Sequence, residues 1–151
     1  MREHGGRIFD LPHPEGVLDF SSNINPYGPP PHALRAAARA LKRVSVYPDP
    51  DQRALKGAFS RWTGLPEEML VFGNGASELI GATLAALRPR QVVLPVPTFG
   101  EYGAWAERLG IPVLPVPLEE SRDFAPSLDA LRSALGPRVL LVLCQPNNPT
   151  G

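Results

Sequence analysis

From Met69 to the end of this 151-residue chain, short runs of branched apolar residues alternate with amphipathic stretches. Met69-Leu70-Val71-Phe72, Gln91-Val92-Val93-Leu94, Ile111 to Val116 and residues 138 to 144 read as strands. Between them, Ser77 to Leu87 carries Leu79, Ile80, Thr83, Leu84 and Leu87 on one helical face. Tyr102 to Leu109 is a second helix, and a third has Ser127 as its cap and ends at Gly136. Strands alternating with helices every ~20–30 residues are the pattern of right-handed βαβ units in a mostly parallel sheet. The fold class is therefore α/β, although the order of the strands is not readable. The last run, Val139-Leu140-Leu141-Val142-Leu143-Cys144, is apolar throughout, as in a strand buried on both faces.

The chain before this pattern is organised differently. Residues 1–30 show no sustained period and end in Asn25-Pro26-Tyr27-Gly28-Pro29-Pro30; they read as an arm lying across something else, such as another subunit. Residues 31–68 form a helical segment. Pro31 suits a first helical turn, and Leu34, Ala37, Ala38 and Leu41 follow at helical spacing, with Arg35, Arg39, Lys42 and Arg43 outward. Tyr47-Pro48-Asp49-Pro50-Asp51 breaks that helix, and Asp49 or Asp51 can cap the next, which runs to Trp62 and stops at Gly64. Residues 69–151 then open an α/β domain.

Composition narrows the partners. Fifteen basic residues balance fifteen acidic ones, which favours neither nucleic acid nor an anionic membrane. The single cysteine, Cys144, excludes a disulfide framework and a cysteine-based zinc site, and no other metal site is read; it suits a reducing cytoplasm. The first residues lack the apolar core of a signal peptide, and no apolar run approaches the ~20 residues of a membrane span. The nineteen prolines fall between periodic segments, so they punctuate a folded chain.

Three loops follow predicted strands, at the edge where open α/β sheets bind ligands. Gly73-Asn74-Gly75-Ala76-Ser77-Glu78 opens a helix, whose first amides and dipole attract an anion such as phosphate. A tight turn with Ser77 as a cap explains the same residues. Glu78 stands where a dinucleotide fingerprint has its third glycine, and the Gly-Lys-Ser/Thr of a P-loop is absent. In Pro97-Thr98-Phe99-Gly100-Glu101-Tyr102, Phe99 either stacks on a flat ligand ring or plugs the core. In Gln145-Pro146-Asn147-Asn148-Pro149-Thr150-Gly151, Asn148 either binds a ligand or serves as a turn residue.

Taken in order, Gly-Asn-Gly-Ala-Ser-Glu, Pro-Thr-Phe and Asn-Asn-Pro-Thr-Gly resemble the first half of the large domain of fold-type I pyridoxal-phosphate enzymes, the aminotransferase class I/II family. The resemblance implies that Gly75, Ala76 and Ser77 cup the phosphate of pyridoxal 5'-phosphate. It further implies that Phe99 stacks on the pyridine ring and that Asn148 bonds the phenolic oxygen. Tyr47, in Val46-Tyr47-Pro48-Asp49, resembles the tyrosine that crosses a homodimer to the partner's cofactor phosphate. The arm adds His4-Gly5-Gly6 and Leu18-Asp19-Phe20-Ser21-Ser22-Asn23-Ile24-Asn25-Pro26-Tyr27-Gly28, which resemble the threonine-phosphate decarboxylases of cobalamin biosynthesis. Phe99-Gly100-Glu101-Tyr102 and Leu143-Cys144-Gln145-Pro146 resemble them too. Their relatives, the histidinol-phosphate aminotransferases, share Asn-Pro-x-Gly but usually not His-Gly-Gly. This resemblance implies that His4, Gly5 and Asn25 approach a small phosphorylated amino-acid substrate, O-phosphothreonine, which is decarboxylated to aminopropanol phosphate.

The same family takes its Schiff-base lysine, its pyridinium-pairing aspartate and its carboxylate-binding arginine from sequence beyond Asn-Asn-Pro-Thr-Gly. The two lysines here, Lys42 and Lys56, fall on helices among other exposed charges and read as solvated. The chain is therefore expected to be the N-terminal part of a longer enzyme, inactive and poorly soluble alone. Two other readings stay open: an aminotransferase acting on histidinol phosphate or a related amino acid, and a phosphate- or nucleotide-binding module without chemistry.

Overall fold

The computed structural model describes residues 5–151, which divide after Phe72 into two compact units. The first unit holds helices α1 (Pro31–Ala40) and α2 (Arg53–Thr63) behind an arm with short turns at Ile8–Asp10 and Pro14–Gly16. Gly5 lies so close to Ser21 that a Cβ on it would stand 1.6 Å from the Ser21 carbonyl oxygen. Next to it the Gly6 N–H donates to Ser21 Oγ at 2.7 Å. Asp19 organises the same turn, accepting the Ser21 amide at 2.8 Å and the hydroxyls of Ser21 and Ser22 at 2.6 and 2.8 Å. These bonds, led by the Ser21 hydroxyl, hold the Asp19 carboxyl below its ordinary 3.8.

Helix α2 begins where the carboxylate of Asp49 accepts the Arg53 amide at 3.0 Å and the Asp51 amide at 3.1 Å. It ends at Gly64, whose φ of 75° lets it close the last turn through its N–H to Ser60. The amide of Arg53 is the largest influence lowering the Asp49 carboxyl below 3.8, followed by that of Asp51. A lowered carboxylate stabilises the fold above its unfolded pKa of 3.8, and the contribution is lost as pH falls through the lower folded value. Asp49→Asn is therefore expected to lower the melting temperature slightly near neutrality, where the carboxylate's contribution is fully present, and to leave it unchanged well below about pH 4, so that the acid limb of the profile flattens. An unchanged acid limb would refute this.

Met69-Leu70-Val71-Phe72 does not form a strand. Glu67–Met69 is a short 3-10 turn, and Leu70 is extended and 7% exposed. Phe72 packs edge-on against Phe59 at 5.3 Å, and Phe59 in turn packs against Trp62 at 5.2 Å. Extended backbone becomes a strand only when a neighbour takes its N–H and C=O groups, and among the described residues no strand pairs with these. Their apolar character serves a local cluster.

The second unit is the α/β body. Its elements are α3 (Ala76–Leu87), β1 (Gln91–Val96), α4 (Glu101–Arg108), β2 (Val113–Pro117), α5 (Leu128–Ala134) and β3 (Val139–Leu141). The strands are all parallel, in the order β2-β1-β3. Stepping from β1 to β2 and then back across to β3 reverses direction, so right-handed crossovers put α4 and α5 on opposite faces. The packing follows. Val92 meets Leu84 and Ala106, with Ile80 and Trp105 around them, whereas its neighbour Val93 meets Val116 and Leu131 on the α5 side. Ser127 caps α5, accepting the Ala130 amide at 3.3 Å.

Prolines set the limits of this sheet. The Val92 N–H donates to Pro112 and Leu118 donates to Val96, so the even-numbered residues of β2 face β1. Pro115 and Pro117 then fall on the outward side of β2, where a missing N–H costs nothing and blunts the edge. On the other side Val93 accepts from Val142. The next residue of β1 facing β3 is Pro95, which has no N–H to offer. Regular pairing of β3 therefore stops at Leu141, short of the expected Cys144, and frees the following residues to enter a loop.

Candidate functional site

Helix α3 ends three residues before β1 begins, runs back along it, and so starts near the carboxyl end of β1. Gly75 precedes the helix with φ 87° and ψ 169°, a conformation essentially reserved for glycine. The space in front of Gly75 is open: a Cβ there would meet nothing within 4 Å. Ala76 and Ser77 form the first turn, where backbone amides have no carbonyl one turn back. The Glu78 carboxylate reaches back to accept the Asn74 amide. Ser77 does not act as the cap; its hydroxyl donates to the carboxylate of Glu101 and accepts the Trp105 indole N–H at 3.1 Å. Any anion contact from Ser77 in this conformation is thus made by its backbone.

Glu101, the first residue of α4, is 4% exposed. Sequence reasoning assigned it no role, yet it ties the start of α3 to the loop after β1. That loop carries Phe99, half-buried, with its ring edge-on to Tyr102 at 5.7 Å. Burial, then a hydrogen bond with Cys144, pushes the Tyr102 phenol from 10.0 up to about 12. The folded protein therefore holds this proton more tightly than the unfolded chain. Stability linked to it is complete below pH 10 and falls as pH rises toward about 12. In an ultraviolet titration of phenolate, the step removed by Tyr102→Phe is expected near pH 12; a step at pH 10 would contradict the half-buried placement beside Cys144.

The loop after β3 meets the loop after β1 through Asn147, a second residue the motifs did not single out. Thr98 Oγ1 donates to Asn147 Oδ1 at 2.8 Å, and Asn147 Nδ2 donates to the Pro97 carbonyl at 3.0 Å. The same Nδ2 donates to Thr150 Oγ1 at 2.6 Å, and the Gly151 amide returns to the Asn147 carbonyl at 2.7 Å. Asn148 follows with an exposed side chain and a cis peptide to Pro149. The second unit thus brings Gly75, Ala76, Ser77, Phe99 and Asn148 to one edge of its sheet, through Glu101 and Asn147.

The remaining candidates lie in the first unit. Tyr47 is 88% exposed. Asn25 is engaged in its own turn: Oδ1 accepts the Tyr27 amide at 3.0 Å and Nδ2 donates to the Gly28 carbonyl at 3.2 Å. Gly5 is committed to Ser21, and His4 lies outside the described residues. Lys42 sits in an exposed turn, and Lys56 is a half-buried residue of α2. Among the described residues no helix is long and apolar enough to cross a membrane.

Comparison with known proteins agrees with this architecture. The sequence pattern of aminotransferase class I and II matches residues 15–151. The threonine-phosphate decarboxylase of Salmonella typhimurium is 37% identical over 98% of this chain and 42% of its own length. The histidinol-phosphate aminotransferase of Roseiflexus castenholzii is 39% identical over 91% of this chain and 38% of its own. The crystal structure of histidinol-phosphate aminotransferase from Sinorhizobium meliloti, in complex with pyridoxal-5'-phosphate, superposes with a TM-score of 0.73. It is 25% identical and covers 85% of this chain and 35% of that one. The chain spans less than half the length of these relatives. With the parallel sheet, the loop order and a match over most of its residues, the chain belongs to the aminotransferase class I and II family.

Proposed function

We propose that this chain belongs to a pyridoxal-phosphate-dependent L-threonine-O-3-phosphate decarboxylase, in which residues 73–151 supply part of the cofactor cradle. The observation that carries the reading is that two hydrogen bonds, Ser77 to Glu101 and Thr98 to Asn147, join the start of α3, the loop that carries Phe99 and the loop that carries Asn148. The donor set suits the cofactor: open space and helix-start amides for a dianionic phosphate, an aromatic ring for a flat heterocycle, and an exposed amide for a phenolic oxygen. In this proposal the amides of Ala76 and Ser77 hold the phosphate, and Gly75 lets it approach. Phe99 flanks the ring, and the Asn148 amide donates to the ring oxygen. Tyr47 reaches the phosphate from the other subunit of a homodimer, and His4, Gly5 and Asn25 line the substrate side.

When bound, the cofactor supplies an electron sink for the bond broken at the substrate's α-carbon. What the protein must add is orientation, because the bond aligned with the ring's π system is the one that breaks. Residues 73–151 contain no lysine. In this reading the lysine that engages the cofactor's aldehyde, and the groups that orient the substrate carboxylate, belong to other parts of the protein.

Decarboxylation is favoured over transamination because the similarity to the Salmonella typhimurium decarboxylase takes in 98% of the chain, which includes the arm. The 39% identity to a histidinol-phosphate aminotransferase supports the second reading, transamination on the same scaffold. Assays of the whole protein separate them. With O-phosphothreonine we expect CO₂ release and aminopropanol phosphate; consumption of a 2-oxo acid with histidinol phosphate, and no CO₂, would establish the second.

A further inference from the structure

Asn147 touches neither cofactor nor substrate in that reading, yet its side chain is committed on both sides. A primary amide has two N–H donors. Here Nδ2 is engaged by the Pro97 carbonyl and the Thr150 hydroxyl, while Oδ1 receives the Thr98 hydroxyl. Two of these bonds join residues 49 and 50 positions apart, and the third closes Asn147's own loop. The neighbours in sequence are the two candidate ring contacts: Phe99 follows Thr98, and Asn148 follows Asn147.

We propose that Asn147 is a positioning residue that locks the loop after β1 to the loop after β3, and so sets the separation between the Phe99 ring and the Asn148 amide. Its consequence for cofactor binding rests on the function proposed for this site; the lock itself does not. The chemistry requires an amide. Aspartate keeps an acceptor for Thr98 but loses both donors, and alanine loses every side-chain link. A hydroxyl-free residue at position 98 removes only the contact at Oδ1.

The test uses the whole protein, with Asn147→Ala, Asn147→Asp, Thr98→Val and the Thr98→Val/Asn147→Ala double variant. Without cofactor, denaturant titrations give the folding equilibrium constant of each. Their effects are expected to be less than multiplicative, with a several-fold shortfall in the double variant, because both changes remove one contact. With pyridoxal phosphate, Asn147→Ala is expected to weaken binding on the order of tenfold. It should also shift the pH at which the bound cofactor's visible band changes, since Asn148 is displaced from the ring oxygen. Thr98→Val should move both readouts in the same direction by less. Should Asn147→Ala fail to fold, Asn147→Asp and Thr98→Val carry the comparison. Strictly multiplicative effects on folding overturn the lock. Cofactor affinity and band pH unchanged in a variant that shows the coupling overturn its functional consequence. A wild-type protein that binds no pyridoxal phosphate defeats the functional reading, while the folding cycle still decides the lock.

Discussion

Gly81→Val is expected to cost about 3 kcal/mol of stability, at the upper end of the range for overpacked cores. That corresponds to a drop in melting temperature of roughly 10 °C for a folding unit of this chain's length. Gly81 is buried in the middle of α3, and a Cβ there would stand 2.7–2.8 Å from three atoms of the Trp105 indole. No real carbon pair sits that close, so the ring must move. Trp105 has little freedom to do so: its N–H is bonded to Ser77 at 3.1 Å, Arg108 lies 4.9 Å over its ring, and it packs against the core of Leu84, Val92 and Ala106. Displacing it also disturbs Ser77 and hence the start of α3. Helix propensity opposes the clash, because replacing glycine by alanine inside a helix gains roughly 0.5–1 kcal/mol and by valine somewhat less. Gly103→Ala isolates that gain. Gly103 lies in α4, and its added Cβ would make only an ordinary contact, 3.8 Å from Leu94. Gly103→Ala should therefore stabilise the protein slightly while Gly81→Val destabilises it strongly. Calorimetric melting of both variants checks the pair, and a Gly81→Val protein that melts with the wild type would refute the packing argument.

These two glycines show where sequence stops being informative. The alternation of apolar runs and amphipathic stretches is local, so α3 to α5 and the three strands were legible within a few residues. Strand order depends on which crossovers pack, and no local pattern records it. One strand assignment failed and another ran too long, each for an identifiable reason. Leu70 to Phe72 has strand-like residues but no neighbour among the described residues to pair with. The run to Cys144 is cut short by Pro95 on the adjacent strand, a partner that only register reveals. The same limit applies at the site. Motifs pointed to Ser77, Phe99 and Asn148, each of which belongs to a recognisable loop. Glu101 and Asn147, which join those loops, act on residues 24 and 49 positions away. A buried acidic residue directly after Phe99-Gly100, and an asparagine doubled before Pro149, were the available signals. Neither has meaning until the loops are seen side by side.

Gly75→Ala is expected to weaken pyridoxal phosphate binding on the order of tenfold or more, with a smaller loss of stability. At φ 87° and ψ 169° an L side chain is strained by about 1–3 kcal/mol, although nothing would touch its Cβ. The chain can relieve that strain by rotating the backbone at position 75, because the space around it is open. Rotation turns the peptide joining Gly75 to Ala76, and with it the first amides of α3. Part of the strain is then exchanged for a misdirected helix start. The amides proposed to hold the cofactor phosphate are the groups that move, whereas Phe99 and Asn148 sit on other loops and stay in place. Pyridoxal, which lacks the phosphate, separates these effects. The wild type should prefer pyridoxal phosphate strongly, and Gly75→Ala should reduce that preference while leaving the affinity for pyridoxal nearly unchanged. Equal losses for both ligands would assign Gly75 a structural role only. Unchanged affinity for both would remove the start of α3 from the phosphate site.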